Sequence, residues 1–166
     1  GYTDIISKLL SLSDVWLNID YFKNRSYYDS LGKQVLYTGP IDQFFEYQYG
    51  KLEYRSLRFE TEVLDTENYQ GNAVINYTEK DVPFTRIIEH KHFSKNESLK
   101  TVITKEFPAS YNEVNEPYYP VNDAKNQDIY YKYLQLKNKS DKYLFGGRLA
   151  SYQYYDMDDV IKEALL

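Results

Sequence analysis

The chain has 166 residues and no cysteine, so it is one domain's worth of polypeptide that can form neither a disulfide nor a thiolate metal site. Hydrophobic residues make up 42% of it, which excludes a disordered chain, and it contains no unbroken apolar run long enough to span a membrane. A net charge of −5 gives no general pull toward nucleic acid, so neither nucleic acid nor membrane is an expected partner, and a cytoplasmic location fits.

The chain starts at Gly1 without a methionine and enters a helical pattern at once, as expected of a segment of a longer protein. Thr3 can cap a helix whose apolar positions are Ile5, Ile6, Leu9 and Leu10. Asp14 to Asp20 alternates, with Val15, Leu17 and Ile19 on one face, which predicts a strand. Tyr21 to Gly32 reads as irregular with one helical turn. Gln34 to Thr38 reads as a short buried strand. Gly39-Pro40 breaks it, and Pro40 opens a helical turn through Phe45.

The middle of the chain changes character. Leu52–Leu64, Asn72–Thr78, Phe84–Phe93 and Leu99–Phe107 all read as strands. They are joined by the polar turns Asp65–Asn68, Glu79–Pro83 and Ser94–Ser98, and short polar connections imply antiparallel neighbours. Tyr111–Asn122 is a loop rich in Asn, Glu, Pro and Tyr. Ala124–Lys137 carries Ile129, Tyr133 and Leu136 at helical spacing. Tyr143–Phe145 reads as a buried strand, followed by Gly146-Gly147-Arg148 and by an amphipathic end, Val160–Leu166. The ends look α/β and the middle all-β. The fold class expected is therefore α+β, an antiparallel sheet inserted into an α/β nucleotide-binding fold. The expected division is 1–50, 51–110 for the sheet, and 111–166 for loop, helix and C-terminal strand-helix.

Several residues could carry chemistry. His90 and His92, two apart on an expected strand, could join Glu89 and Glu106 as metal ligands, but two half-buried sheet histidines are the simpler reading, and no metal is expected. Arginine is scarce, five against fifteen lysines, yet Arg55, Arg58 and Arg86 fall inside strands. Fixed forked bonding to a phosphate, or ion pairs with sheet carboxylates, both suit that placement. Twenty tyrosines are present; most are explained by strand propensity and coding bias. Two clusters stand apart. Tyr118-Tyr119 lies between Pro117 and Pro120 on a stiffened loop, and Tyr152, Tyr154 and Tyr155 precede Asp156-Met157. With Arg86 and Arg148 they could clamp a diphosphate, and the glycine pair lets backbone N–H groups approach a ligand.

Six segments carry more than composition does. Tyr37–Asp42, Leu52–Glu60, Tyr69–Asn72, Pro83–Lys91, Glu116–Pro120, and Gly146–Leu149 with Tyr154–Met157 together resemble prokaryotic UDP-galactopyranose mutase, in order along essentially the whole chain. The resemblance implies an isomerase, a flavoenzyme of galactofuranose biosynthesis that interconverts UDP-galactopyranose and UDP-galactofuranose. It implies reduced FAD as the nucleophile toward the anomeric carbon. The product commonly enters bacterial cell-surface polysaccharide.

Residue by residue, the resemblance makes Arg86 the catalytic arginine beside flavin and substrate, and Asp156 an acidic catalytic residue. It makes Arg55, Tyr119, Tyr154 and, more weakly, Tyr118 substrate-binding. It assigns Arg148 to the FAD phosphates, with Gly147 and Met157 in the FAD-contacting turn. Glu106 is a further, weaker candidate, and His90 becomes structural. UDP-galactose is the implied partner, and a homodimer is left open because the family often dimerises.

One departure matters. The family opens with a G-x-G-x-x-G Rossmann unit for FAD, and this chain has none. The resemblance therefore implies the C-terminal portion of the enzyme: the sheet plus late pieces of a Rossmann-like FAD domain. Alone it would be inactive and would not hold FAD. A non-catalytic nucleotide-sugar-binding or scaffold domain is the alternative. A different flavoprotein, amine-oxidase-like or desaturase-like, is disfavoured by the combination of Arg86, Tyr119 and Tyr154.

Overall fold

The computed structural model describes residues 2–94, 97–112, 114–137 and 139–166, so the expected Ser94–Ser98 turn lies partly outside the described residues. The chain forms two units, residues 1–33 and 34–166. In the first, helix α1 (Tyr2–Leu9) is followed by a 3-10 helix (Tyr21–Asn24) and helix α2 (Arg25–Leu31). The Asp20 carboxylate caps the 3-10 helix by accepting from the Phe22 N–H at 3.0 Å. The irregular stretch expected at 21–32 is thus helical for most of its length. The strand expected at Asp14–Asp20 is not formed. Val15, Leu17 and Ile19 stand exposed at 53%, 76% and 49%. Alternation prepares a face, but a strand also needs a neighbour to receive its N–H and C=O groups.

The second unit holds two sheets. Strand β1 (Val35–Tyr37) runs parallel to strand β7 (Tyr143–Phe145), pairing Leu36 with Leu144. The expectation of two buried strands is corrected on one face. Leu36 and Leu144 are exposed, whereas Phe145 is buried. The covered face is filled by the short helix α3 (Ile41–Phe44), whose Phe44 ring touches those of Tyr37, Tyr143 and Phe145. Pro40 sits at the N-terminus of α3, as its fixed φ favours.

The second sheet has five strands: β2 (Tyr54–Leu64), β3 (Val74–Asn76), β4 (Arg86–Glu89), β5 (Thr101–Ser110) and β6 (Tyr119–Pro120). Their spatial order is β3-β4-β5-β2-β6, with every pairing antiparallel. So β2 is not the hairpin neighbour of β3, as the short Asp65–Asn68 connection suggested. It pairs with β5, from Arg55↔Ser110 to Leu64↔Thr101. His90 and His92 do not continue β4 but lie in a 3-10 helix, His90–Phe93.

Side chains weld the crossing from the parallel pair to this sheet. Between α3 and β2, the Leu52 N–H donates to Asp42 Oδ2 at 2.8 Å and the Glu53 N–H to Asn126 Oδ1 at 3.0 Å. Tyr133 receives the Tyr49 N–H at 3.1 Å and donates its hydroxyl to the Gly50 carbonyl at 2.8 Å. Asn126 and Tyr133 come from helix α4 (Ala124–Lys137), and both are fully buried. These backbone groups lie outside the strand ladder, and buried side chains satisfy them. After β7 come a short helix α5 (Gly147–Ala150) and the terminal helix α6 (Met157–Ala164). No helix is long and apolar enough to cross a membrane among the described residues.

Candidate active site

Side chains alternate along β2, so Arg55, Leu57 and Phe59 share one face. Directly paired residues lie on the same side of an antiparallel sheet. Arg55 is opposite both Ser110 and Tyr119, Phe59 is opposite Glu106, Glu106 is opposite Arg86, and Arg86 is opposite Asn76. Register thus collects Arg55, Arg86, Glu106, Tyr119 and Asn76 on one surface, although 76 and 119 are remote in sequence.

Arg86 is held on two sides. Its Nε donates to Asn76 Oδ1 at 2.9 Å, and its Nη1 lies 3.5 Å from Glu106 Oε2. Glu106 is 7% exposed, and its other oxygen accepts from the Thr85 hydroxyl at 3.3 Å. The Arg86 side chain nevertheless remains 40% exposed. The two readings of a strand arginine therefore hold together here: an ion pair fixes the fork, and part of the fork still faces solvent. Arg58 falls on the opposite face, where it pairs with Glu60 and lies 4.0 Å above the Phe107 ring. Arg55 has no side-chain hydrogen bond or ion pair among the described residues and lines three open grooves, among them two of about 500 Å³ each. Tyr119 lines both grooves as well; Glu106 and Thr85 line one and Tyr154 the other.

The C-terminal turn supplies the other wall. The Tyr119 and Tyr154 rings stack with centroids 5.4 Å apart and planes 20° apart. The Arg148 guanidinium sits 5.6 Å from the Tyr119 ring and 4.8 Å from the Tyr154 ring. Its Nε and Nη2 donate to the Tyr155 carbonyl, and Nη1 donates to the Tyr118 carbonyl at 3.0 Å. Most of its fork is therefore engaged in binding one loop to another. Asp156 Oδ1 lies 3.8 Å from Arg148 Nη2, and the Asp156 N–H donates to Asp159 Oδ2 at 3.0 Å, which starts α6.

Burial, and after it Glu106, pushes the Tyr119 phenol above its ordinary pKa, against the opposing pull of Arg86 and Arg148. Tyr118 is also raised, by burial and by Glu116, to which its hydroxyl donates at 3.2 Å. Its ring packs edge-on against Phe59, which puts it at the rim of the arrangement.

Arg55, Arg86, Tyr119, Tyr154, Arg148 and Asp156 are thus brought together. Gly147 and Met157 line neither of these two grooves. Gly147 has φ +77°, and a Cβ there would meet nothing closer than Thr38 at 3.7 Å; Met157 opens α6 half-exposed. Asn76 and Thr85 were missed by sequence reasoning. Strand pairing brings Asn76 to Arg86, and the Thr85 hydroxyl bonds Glu106 from just outside β4. His90 bonds Thr104 at 2.8 Å, and His92 bonds Glu89 at 3.1 Å. No group of three or more His, Asp or Glu side chains is arranged to hold a metal among the described residues.

An antiparallel sheet with two arginines and a tyrosine on one face, closed by a second tyrosine and a third arginine from a C-terminal turn, describes a mixed α/β domain with a cationic, tyrosine-lined face. The chain belongs to the UDP-galactopyranose mutase family, whose model matches residues 1–154. It is 39% identical to the dTDP-fucopyranose mutase of Escherichia coli, over 99% of this chain and 45% of that protein. It is 36% identical to the UDP-galactopyranose mutase of Mycoplasma pneumoniae, again over 99% of this chain and 45% of that protein. The same identity holds for the Mycoplasma genitalium enzyme of that name, over 97% of the chain and 43% of the relative. The chain spans less than half the length of these curated relatives.

Proposed function

We propose that this chain forms the nucleotide-sugar side of the active site of a longer flavoenzyme that interconverts UDP-galactopyranose and UDP-galactofuranose. The observation that carries the reading is the gathering of Arg55, Tyr119 and Tyr154 on two grooves that share Arg55 and Tyr119, with Arg86 on the same face of the sheet. A sugar diphosphate needs fixed cations and neutral hydroxyl donors along one edge. Arg55 offers a guanidinium with no partner among the described residues, and the two stacked phenols offer donors. Arg86, fixed by Asn76 and Glu106, is suited to hold the sugar-proximal oxygens, with Asp156 on the far side of Arg148. The membership in a mutase family adds the reaction class, an isomerase.

The parallel β1–β7 pair and the glycine turn are read as part of a Rossmann-like FAD domain into which the antiparallel sheet is inserted. The turn fits a bound dinucleotide. Gly147 is in a left-handed conformation, which lets backbone approach a phosphate, and Thr38 lies at ordinary contact distance beside it. Gly147, Arg148 and Met157 would border the group from this chain. When bound, reduced FAD would supply the nucleophile for the anomeric carbon. This chain's own residues bind and orient the diphosphate, and hold protons on Tyr119 and Tyr118.

A second substrate is favoured by one observation: a relative similar over nearly the whole chain is named a dTDP-fucopyranose mutase. Both substrates present a nucleoside diphosphate on a pyranose. The test is a direct assay of the full-length gene product with reduced flavin, offering UDP-galactopyranose and dTDP-fucopyranose in parallel. Formation of the furanose from one of them is the expected result. Absence of conversion with both would overturn the reading.

A further inference from the structure

We propose that Tyr152 is a positioning residue: its hydroxyl pins the turn between α5 and α6 to the sheet, and this is what lays Tyr154 on Tyr119. The inference deepens the reading above, on which it rests for the identity of the ligand. Tyr152 is completely buried, yet its backbone has φ +46°, a region that a bulky side chain rarely adopts. Something must hold it there. Its ring packs against Tyr54 at 5.4 Å and Tyr130 at 5.6 Å. Its hydroxyl lies 2.7 Å from the Glu53 carbonyl and 3.0 Å from the Val121 carbonyl, and its one proton is shared between them.

The two anchors are not arbitrary. Glu53 lies two residues before Arg55, Val121 two residues after Tyr119, and Tyr152 two residues before Tyr154. The Val121 N–H also donates to the Glu53 carbonyl at 3.0 Å, so both sheet-side strands reach the same knot. On the turn side, the Gln153 N–H donates to the Arg148 carbonyl at 3.1 Å. One hydroxyl therefore connects the segments that carry all four of Arg55, Tyr119, Arg148 and Tyr154. A phenyl ring would fill the same space but take the hydroxyl donor from the Val121 carbonyl and leave the Glu53 carbonyl with the Val121 N–H alone. The stack would then keep its contacts and lose its fixed position, and loosely placed ligand donors bind weakly.

The test compares Tyr152→Phe with Tyr133→Phe. Tyr133 is equally buried, and its hydroxyl bonds Gly50 at 2.8 Å, but among the described residues it makes no hydrogen bond or ring contact to the turn. Both substitutions should lower the melting temperature by similar amounts. In the ligand-free protein, only Tyr152→Phe should speed exchange of the Gln153 amide, by about tenfold. In the full-length gene product, only Tyr152→Phe should raise KM for the nucleotide sugar, by about tenfold, with kcat nearly unchanged. Unchanged Gln153 exchange, or an equal rise in Tyr133→Phe, overturns the proposal. If the unsubstituted protein turns over no nucleotide sugar, the functional reading fails while the exchange result still judges Tyr152. Should Tyr152→Phe not fold, the unsubstituted protein decides. Its Gln153 and Val121 amides should exchange through one shared opening, and independent exchange overturns the pin.

Discussion

Arg86 and Glu106 face each other across the β4–β5 pair, the guanidinium 3.5 Å from a carboxylate that is only 7% exposed. The pair points the cation in one direction rather than merely stabilising the sheet, because the Arg86 side chain keeps 40% of its surface open. Arg86→Ala should abolish turnover of the full-length enzyme, with a loss of about a thousandfold or more in kcat/KM. Arg86→Lys should recover little, since a point charge cannot keep both the Asn76 and the Glu106 bond. Steady-state kinetics alongside thermal melts checks this. A collapse in stability that matches the activity loss would reduce Arg86 to a sheet residue.

His90→Ala should behave differently. His90 bonds Thr104, whose hydroxyl also meets Thr61 at 2.9 Å, beyond the row that carries Arg86. Losing one such bond costs about 1 kcal/mol of stability. Activity should stay within about twofold of the unsubstituted enzyme, a difference too small to signal a lost transition-state contact. Equal losses in His90→Ala and Arg86→Ala would show that the site is misassigned.

Tyr119 should act as a neutral donor. Burial and Glu106 hold the Tyr119 phenol above its ordinary value of 10.0, so it keeps its proton throughout the neutral range. UDP binding should therefore show no titration from Tyr119 at neutral or mildly alkaline pH. Tyr119→Phe and Tyr154→Phe should each weaken UDP by about tenfold, the size of one lost hydrogen bond to a charged group. Calorimetric titration of each variant is the measurement. Unaltered affinity in both would remove the phenols from the ligand site.

Glu89 makes stability pH-dependent. Its side chain is fully buried, and burial alone would raise its pKa. The backbone N–H groups of Gln70 and Tyr69, the Thr101 hydroxyl and His92 outweigh that and hold it at about 2, below the ordinary 4.5. A depressed carboxylate contributes stability in full above its unfolded pKa and loses it as pH falls toward the folded one. The contribution should therefore be complete at neutral pH and decline between about pH 4.5 and 2. The gap corresponds to roughly 3 kcal/mol at neutral pH. Glu89→Gln should lower the melting temperature at pH 7 and flatten its acid dependence. A variant that melts like the unsubstituted protein at both pH values would contradict the assignment.

Some of this was legible in one dimension. Helix α4 falls on the predicted residues 124–137, because Ile129, Tyr133 and Leu136 repeat at helical spacing and nothing distant is needed to form a helix. Strand β2 lies within the predicted Leu52–Leu64 for the same kind of reason, a local alternation. The identical signal failed at Asp14–Asp20, where the alternating apolar residues form no strand and stand exposed. Helices satisfy their backbone internally, whereas strands depend on another segment.

The sequence by itself determined the segments, the tyrosine and arginine positions, and membership in the mutase family, which rests on ordered motifs along the chain. Only the tertiary structure decided that β2 pairs with β5 and β6 rather than with β3. That choice puts Arg55 beside Tyr119 and Glu106 beside Arg86, and separates Arg58 from them. It also engages Arg148 with two backbone carbonyls and buries Tyr152. The physical reason is that side-chain periodicity is a property of neighbours in the chain, while register and burial are set by partners that the chain reaches only on folding.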